Sequence, residues 1–323
     1  MGGASGWALR LLTLPAVLLL LVSCRSGYIC AQPDPGQHAR VPDRLSATGL
    51  YDDPGADLLA EGVVPYTPLF ELWSDGATKR RWIRLPDGQS LDSTDMDFWQ
   101  FPPGAKLWKE FTRDGVRIET RLMEKTGTQP EDWSAMAYLW TEDQSDALAV
   151  PDGVIDARGT EHDVPAAGEC MVCHTGFPSR ILGFSAIQLS ATSESMRDLI
   201  GVDTRRYALP GSASAQAALG YLHANCAHCH NKSRPENAEP SCLDPGGGLE
   251  FLLRTDQLDS VQDTPVYRSV VGTVIEPGKP QESSLVKAME TRGFHAGMPP
   301  VGTSLVDEGA MENIRTWIEG MDP

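Results

Sequence analysis

The sequence predicts an α+β protein, a mostly-β N-terminal domain followed by an α-helical C-terminal domain. Three observations point there. Short apolar runs over residues 45–165 are separated by Pro-Asp-Gly, Pro-Pro-Gly, Arg-Asp-Gly and Gly-Thr-Gln-Pro turns. Apolar residues recur at helical spacing over 212–230, 281–290 and 305–319. The 31 glycines and 24 prolines call for turns and long loops rather than a helical bundle. With 323 residues, 41% of them hydrophobic, the chain can form one large domain or two ordinary ones. Its formal charge of −17 argues against a nucleic-acid partner, because no excess of Lys and Arg is available to neutralise phosphates.

Residues 1–23 have the pattern of an export signal: Arg10 precedes the apolar run Leu11–Val22, and polar, Pro-rich sequence follows at once. The run is too short to span a bilayer comfortably. Leu21-Val22-Ser23-Cys24 has the form of a bacterial lipoprotein signal, with Cys24 as the lipidated residue. The alternative is ordinary cleavage near Ala31. Lipidation places the protein in the periplasm or at the cell surface, anchored to membrane, with residues 24–44 as a flexible tether.

Within residues 45–165, strands are expected at Arg81–Leu85, Lys106–Phe111, Val116–Met123 and Ala135–Trp140, and Val116–Leu122 alternates like a half-buried strand. Six of the eight tryptophans (Trp73, Trp82, Trp99, Trp108, Trp133, Trp140) fall here, as fillers of a β core or as walls of a ligand site. Lys79, Arg80, Arg81 and Arg84 form the one dense basic cluster. It is either a solvated strand edge or a partner for anionic groups such as haem propionates.

Seven cysteines in an exported chain would ordinarily suggest disulfides. The spacing of four of them suggests something else. Cys170-Met171-Val172-Cys173-His174 and Cys226-Ala227-His228-Cys229-His230 each have the c-type haem attachment pattern. Two thiols three residues apart reach the two vinyl groups of one haem as thioethers, and the adjoining His supplies the proximal nitrogen. A zinc site would need both cysteine pairs to close one tetrahedron, and a redox disulfide would need only one pair. Neither explains why a His follows both second cysteines. Two covalently bound haems are therefore expected, on Cys170, Cys173 and His174 and on Cys226, Cys229 and His230. Cys30 and Cys242 are left over, paired or not.

Residues 166–211 form a first haem-binding segment and residues 212–323 a second unit. Ser212 or Ser214 caps the helix over 212–230, Pro280 lies near the start of the helix over 281–290, and Ser304 with Asp307 is spaced as a capping box for the helix over 305–319. Residues 231–271 look like an inserted turn and strand, with Leu249–Leu253 as its apolar run. A haem-binding helix, a Pro-rich loop bearing Met298 and a final amphipathic helix follow the order of a class I cytochrome c, so Met298 is expected as the sixth ligand opposite His230. Only 51 residues separate His174 from Cys226, too few for a self-contained domain. The first haem is expected between the β part and the C-terminal part. Met196, His223 and His162 are the residues in range for its sixth position, each with packing as the alternative role.

Trp73-Ser74-Asp75-Gly76-Ala77, Arg81-Trp82-Ile83, Phe101-Pro102-Pro103-Gly104, Ile118-Glu119-Thr120-Arg121 and Tyr138-Leu139-Trp140 with Glu142-Asp143 carry a resemblance. Cys170–Thr175, Tyr221–His230, Glu276–Leu285 and Met298-Pro299-Pro300 continue it. Over roughly 45–320 the chain resembles a family of exported bacterial dihaem c-type proteins of uncharacterised function, and the C-terminal part resembles cytochrome c domains of respiratory proteins. The resemblance implies two haems and export, and no reaction. Three functions compete. One is electron transfer between redox partner proteins. The second is a peroxidase-like dihaem oxidoreductase with an open first haem. The third is a ligand-binding β domain coupled to a redox module.

Overall fold

A computed structural model describes Gly2 and residues 41–205, 207–235, 248–293 and 297–322. Cys24, Cys30 and Cys242, and with them the signal, lipidation and spare-cysteine expectations, lie outside the described residues. A small sheet pairs β1 (Tyr51–Asp53) with β2 (Leu58–Leu59). The large sheet is an antiparallel meander in chain order: β3 (Val64–Pro65), β4 (Thr78–Arg84), β5 (Lys106–Arg113), β6 (Val116–Lys125), β7 (Trp133–Trp140) and β8 (Ala147–Ala149). The β5–β6 hairpin shows how local sequence sets the register. Asp114 (φ 50°) and Gly115 (φ 81°) both adopt the left-handed backbone that a two-residue turn between twisted strands requires.

Both faces of the large sheet are covered. Trp82, Trp108, Leu122 and Met136 stand in register and pack with Leu45, Leu50, Tyr51 and Trp140. Ile83, Leu107, Met123 and Ala135 form the next row on the opposite face. Two-sided cover explains why β6 departs from simple alternation: Ile118, Glu119 and Thr120 are buried consecutively. Five of the six tryptophans of this region are core residues, and Trp73 is partly exposed. β4 is not an edge strand, and Arg81 is buried, so the basic cluster is not simply a solvated rim.

After β8 come α1 (Ala167–His174), α2 (Glu194–Ile200), α3 (Ala213–Cys226), α4 (Pro265–Val270), α5 (Ser284–Glu290) and α6 (Glu308–Glu319). Here the predicted α+β class, with an α-helical cytochrome c-like C-terminal domain, is corrected. The architecture is mostly β, eight strands in two antiparallel sheets, and only about 22% of the residues lie in the six helices. Only α3 (14 residues) and α6 (12 residues) are longer than eight.

The helices are shorter than their apolar spacing suggested. Ser212 caps α3 through its hydroxyl, but the helix stops at Cys226. α5 begins at Ser284, four residues after Pro280. α6 is capped by Asp307, whose carboxylate accepts from the Ala310 N–H at 3.0 Å. Ser304 lies before the helix start, where its N–H and that of Leu305 donate to the Asp75 carboxylate. The apolar run at 249–253 is not a strand. It is an irregular segment with Phe251, Leu252 and Leu253 buried.

One apolar cluster runs from Tyr66 to Ile318 and joins Ile83, Leu107 and Met123 of the sheet to Ile187, Leu219, Leu222 and Ile314 beyond it. At about 1.5–3 kcal/mol per fully buried large apolar side chain, this shared cluster ties the two halves of the chain together. Polar ties are added by the loop before β4. The Trp73 N–H donates to Asn225 Oδ1 at 2.7 Å, and Trp73 Nε1 donates to the Leu305 carbonyl at 3.1 Å.

Candidate functional site

Helical spacing places Cys170 and Cys173 on one face of α1, with His174 as its last residue. Cys226 ends α3, and one more turn, closed by the Cys229 and His230 N–H groups on the Cys226 carbonyl, brings up Cys229 and His230. The two motifs lie against each other. Asn231 Nδ2 donates to the Gly176 carbonyl at 3.1 Å and to the Ala227 carbonyl at 2.7 Å. Gly176 sits so close to the His228 carbonyl that a Cβ there would collide with it. The structure thus brings Cys170, Cys173 and His174 together with Cys226, Cys229 and His230.

All four thiols are unpaired. Burial pushes Cys170 up to about 11 and Cys173 and Cys226 up to about 12, with the neighbouring Cys229 adding to the rise at both Cys173 and Cys226. At neutral pH they are protonated thiols, unlike the thiolates of a reactive redox pair. Among the described residues no group of three or more His, Cys, Asp or Glu could hold a metal ion, so the cysteine pairs do not converge on a zinc tetrahedron.

The histidines differ in what their ring nitrogens do. His174 Nδ1 lies 2.7 Å from the Arg180 carbonyl. A carbonyl only accepts, so Nδ1 carries the proton and Nε2 keeps its lone pair. Burial lowers His174 to about 4, so the ring is neutral at pH 7. A neutral imidazole oriented through its second nitrogen is what an axial ligand requires. His230 stands edge-on to Phe251, ring centroids 5.5 Å apart, and its buried Nδ1 has no partner. Met298 lies on the loop between α5 and α6, its N–H donating to the Ala288 carbonyl at 2.9 Å. Its side chain is 40% exposed and is therefore not a core filler.

The three residues in range for a sixth ligand to the first haem are all otherwise engaged. His223 Nδ1 accepts from the Leu253 N–H at 3.2 Å, which leaves the proton on Nε2. His162 Nε2 donates to Glu119 Oε1 at 2.7 Å. Met196 is fully buried in the shared core.

Beside His174 an open cleft lies between the sheet and the segment after α1. Tyr66, Phe70, Met123 and Ile181 give it apolar walls, and Arg81, Lys109 and Arg121 also line it. Sequence reasoning singled out Arg81 within its cluster and missed Lys109 and Arg121. The signal was available in the Asp114-Gly115 turn, which folds Lys109 and Arg121 opposite each other. Paired attachment thiols, a ligand-ready His174 and an apolar cavity against it fit a c-type haem. Compared with family models, curated proteins and solved structures, the chain matches none.

Proposed function

We propose that this chain is an exported dihaem c-type cytochrome that carries out electron transfer. The observation that carries the reading is the juxtaposition of the two Cys-x-x-Cys-His motifs, with His174 held in the tautomer that leaves Nε2 free. Cys170 and Cys173 would bind one haem as thioethers and Cys226 and Cys229 the other, with His174 and His230 as axial ligands. Met298 would be the second protein ligand to the iron of the haem on Cys226 and Cys229. When bound, the two haems supply one-electron chemistry, and their close attachment points make a short relay. The protein's own residues exclude water and fix the His174 imidazole. Export, lipidation at Cys24 and a membrane-tethered site of action complete the reading. The −17 charge favours a cationic face on the redox partner protein and is unsuited to nucleic acid. Among the described residues no helix is long and apolar enough to cross a membrane.

One observation favours a second reading, a peroxidase-like oxidoreductase. Met196, His162 and His223 all have other tasks, which leaves the first iron without an assigned sixth ligand from this chain. Two measurements on the purified mature protein decide. Its mass should include two haems, and a Cys170→Ala/Cys173→Ala variant should lose one and keep the other. A wild-type chain carrying one haem or none overturns the dihaem reading. Carbon monoxide or cyanide should leave both haem spectra unchanged if the protein is a relay. Rapid binding at one haem, with peroxide turnover, promotes the enzyme.

A further inference from the structure

The sheet face that meets the second half of the chain carries three cations in one row. Arg81 on β4 is opposite Lys109 on β5, and Lys109 is opposite Arg121 on β6. Side chains directly opposite on neighbouring strands are about 5 Å apart, and like charges there are destabilising. All three border the cavity beside His174.

The chain's own anions do not balance the row. Arg121 holds Glu119 at 2.5 and 3.0 Å, and that carboxylate is shared with His162. Arg81 reaches Glu71 through Nη2 at 3.4 Å, and Glu71 is also bound by Lys79 at 3.3 Å. Arg81 is only 6% exposed, and its Nη1 is buried with no partner. No described carboxylate lies within ion-pair distance of Lys109, whose Nζ stands 4.6 Å from the centroid of the Phe111 ring. Burial and the neighbouring charges of Arg81 and Arg121 hold Lys109 well below the usual lysine range. A buried, unpaired guanidinium nitrogen and a lysine with no carboxylate beside it are costly to charge unless an anion meets them.

We infer that the Arg81–Lys109–Arg121 row is a carboxylate-binding site that receives the propionates of the haem attached at Cys170 and Cys173. The inference rests on the dihaem reading above. A haem has an apolar face and two carboxylates on one edge, and the cavity offers apolar walls with cations along one side. The guanidinium fork of Arg81 presents a free N–H on the buried side, suited to a carboxylate oxygen.

The test uses the full-length exported protein with its haems attached, as wild type, Lys109→Met, Lys109→Met/Arg81→Gln and Lys109→Arg. Lys109→Met breaks no ion pair, so it should fold. Haems are counted by mass, each potential is measured by optical redox titration, and propionate bending bands are recorded by resonance Raman. Both haems should remain, because thioether bonds hold them. The ferric form of one haem should be favoured about tenfold in Lys109→Met, about 59 mV for one electron, with the other haem unchanged. The propionate band of the shifted haem should move, and Lys109→Arg should restore wild-type values. Two attached haems with unchanged potentials, or a shifted potential with an unmoved propionate band, overturn this inference alone. A wild-type chain without haem at Cys170 and Cys173 overturns both this inference and the dihaem reading.

Discussion

At the scale of single residues, buried polar groups are decided by what they touch. His223 is 6% exposed on α3, and its Nδ1 accepts from the N–H of Leu253, itself buried. Burial lowers His223 to about 4, below the 6.5 of a free imidazole. The unfolded chain therefore takes up this proton first as pH falls. The stability contributed by neutral His223 is complete above pH 6.5 and is lost as pH falls toward 4, about 3 kcal/mol in all. His223→Leu should cost about 1–3 kcal/mol at pH 7 by leaving the Leu253 N–H unsatisfied, and denaturant titrations should show a flatter decline between pH 6.5 and 4. An unchanged slope would mean that His223 is not neutral in the folded protein. Glu119 shows the opposite balance. Burial alone would raise its carboxyl, but Arg121 and His162 hold it below the usual carboxylate range. Its contribution is present above that range and is lost as pH falls through the depressed value. Glu119→Gln should destabilise the protein by about 3–5 kcal/mol at pH 7 in thermal or denaturant unfolding, because Arg121 stays buried without its counterion.

At the scale of elements, two glycines mark where helices must come close to something. Gly220 on α3 faces the Phe70 ring, and Gly176 after α1 faces the His228 carbonyl. Ala at 220 would gain about 1 kcal/mol of helix propensity, yet the collision with Phe70 should dominate and give a net loss of about 1–3 kcal/mol. Gly176→Ala should force the two cysteine motifs apart, and in the dihaem reading it should slow electron exchange between the haems while leaving both attached. Stopped-flow reduction followed at two wavelengths measures this, and an unaltered rate would show that motif spacing does not matter. These close approaches were not legible in the sequence. The strands were, because Pro-Asp-Gly and Asp-Gly punctuation brackets runs of β-branched and aromatic residues: three expected runs lie within β5, β6 and β7, and Arg81–Leu85 overruns the end of β4 by one residue. The two Cys-x-x-Cys-His motifs were legible because their spacing is local. The helices were overextended because apolar spacing does not mark a helix end, and it cannot see Asp75, some 230 residues from Leu305, holding the chain that precedes α6. Lys109 was missed although the Asp114-Gly115 turn sets it opposite Arg121; its other neighbour, Arg81, comes from β4 and is not fixed by that turn.

At the scale of the whole molecule, the boundary between a β domain and a C-terminal unit can be tested by cooperativity. The sheet residues Ile83, Leu107 and Met123 share one buried cluster with Leu219 and Leu222 of α3 and Ile314 and Ile318 of α6. Neither half keeps that cluster covered when the other is removed. The polar ties at Trp73, Asp75 and Asn225 fail at the same time, because each joins residues from opposite sides of the shared face. Chains with separable cores unfold in separate steps, whereas a chain whose halves cover each other unfolds in one. Scanning calorimetry of the mature protein should therefore show one transition, with the calorimetric enthalpy equal to the van't Hoff enthalpy. Residues 45–165 produced alone should bind a hydrophobic dye, because Ile83, Leu107 and Met123 lose their cover. Two well-separated transitions, or a folded 45–165 fragment with no dye binding, would show that the sheet is an independent domain and that the contacts across the face contribute little.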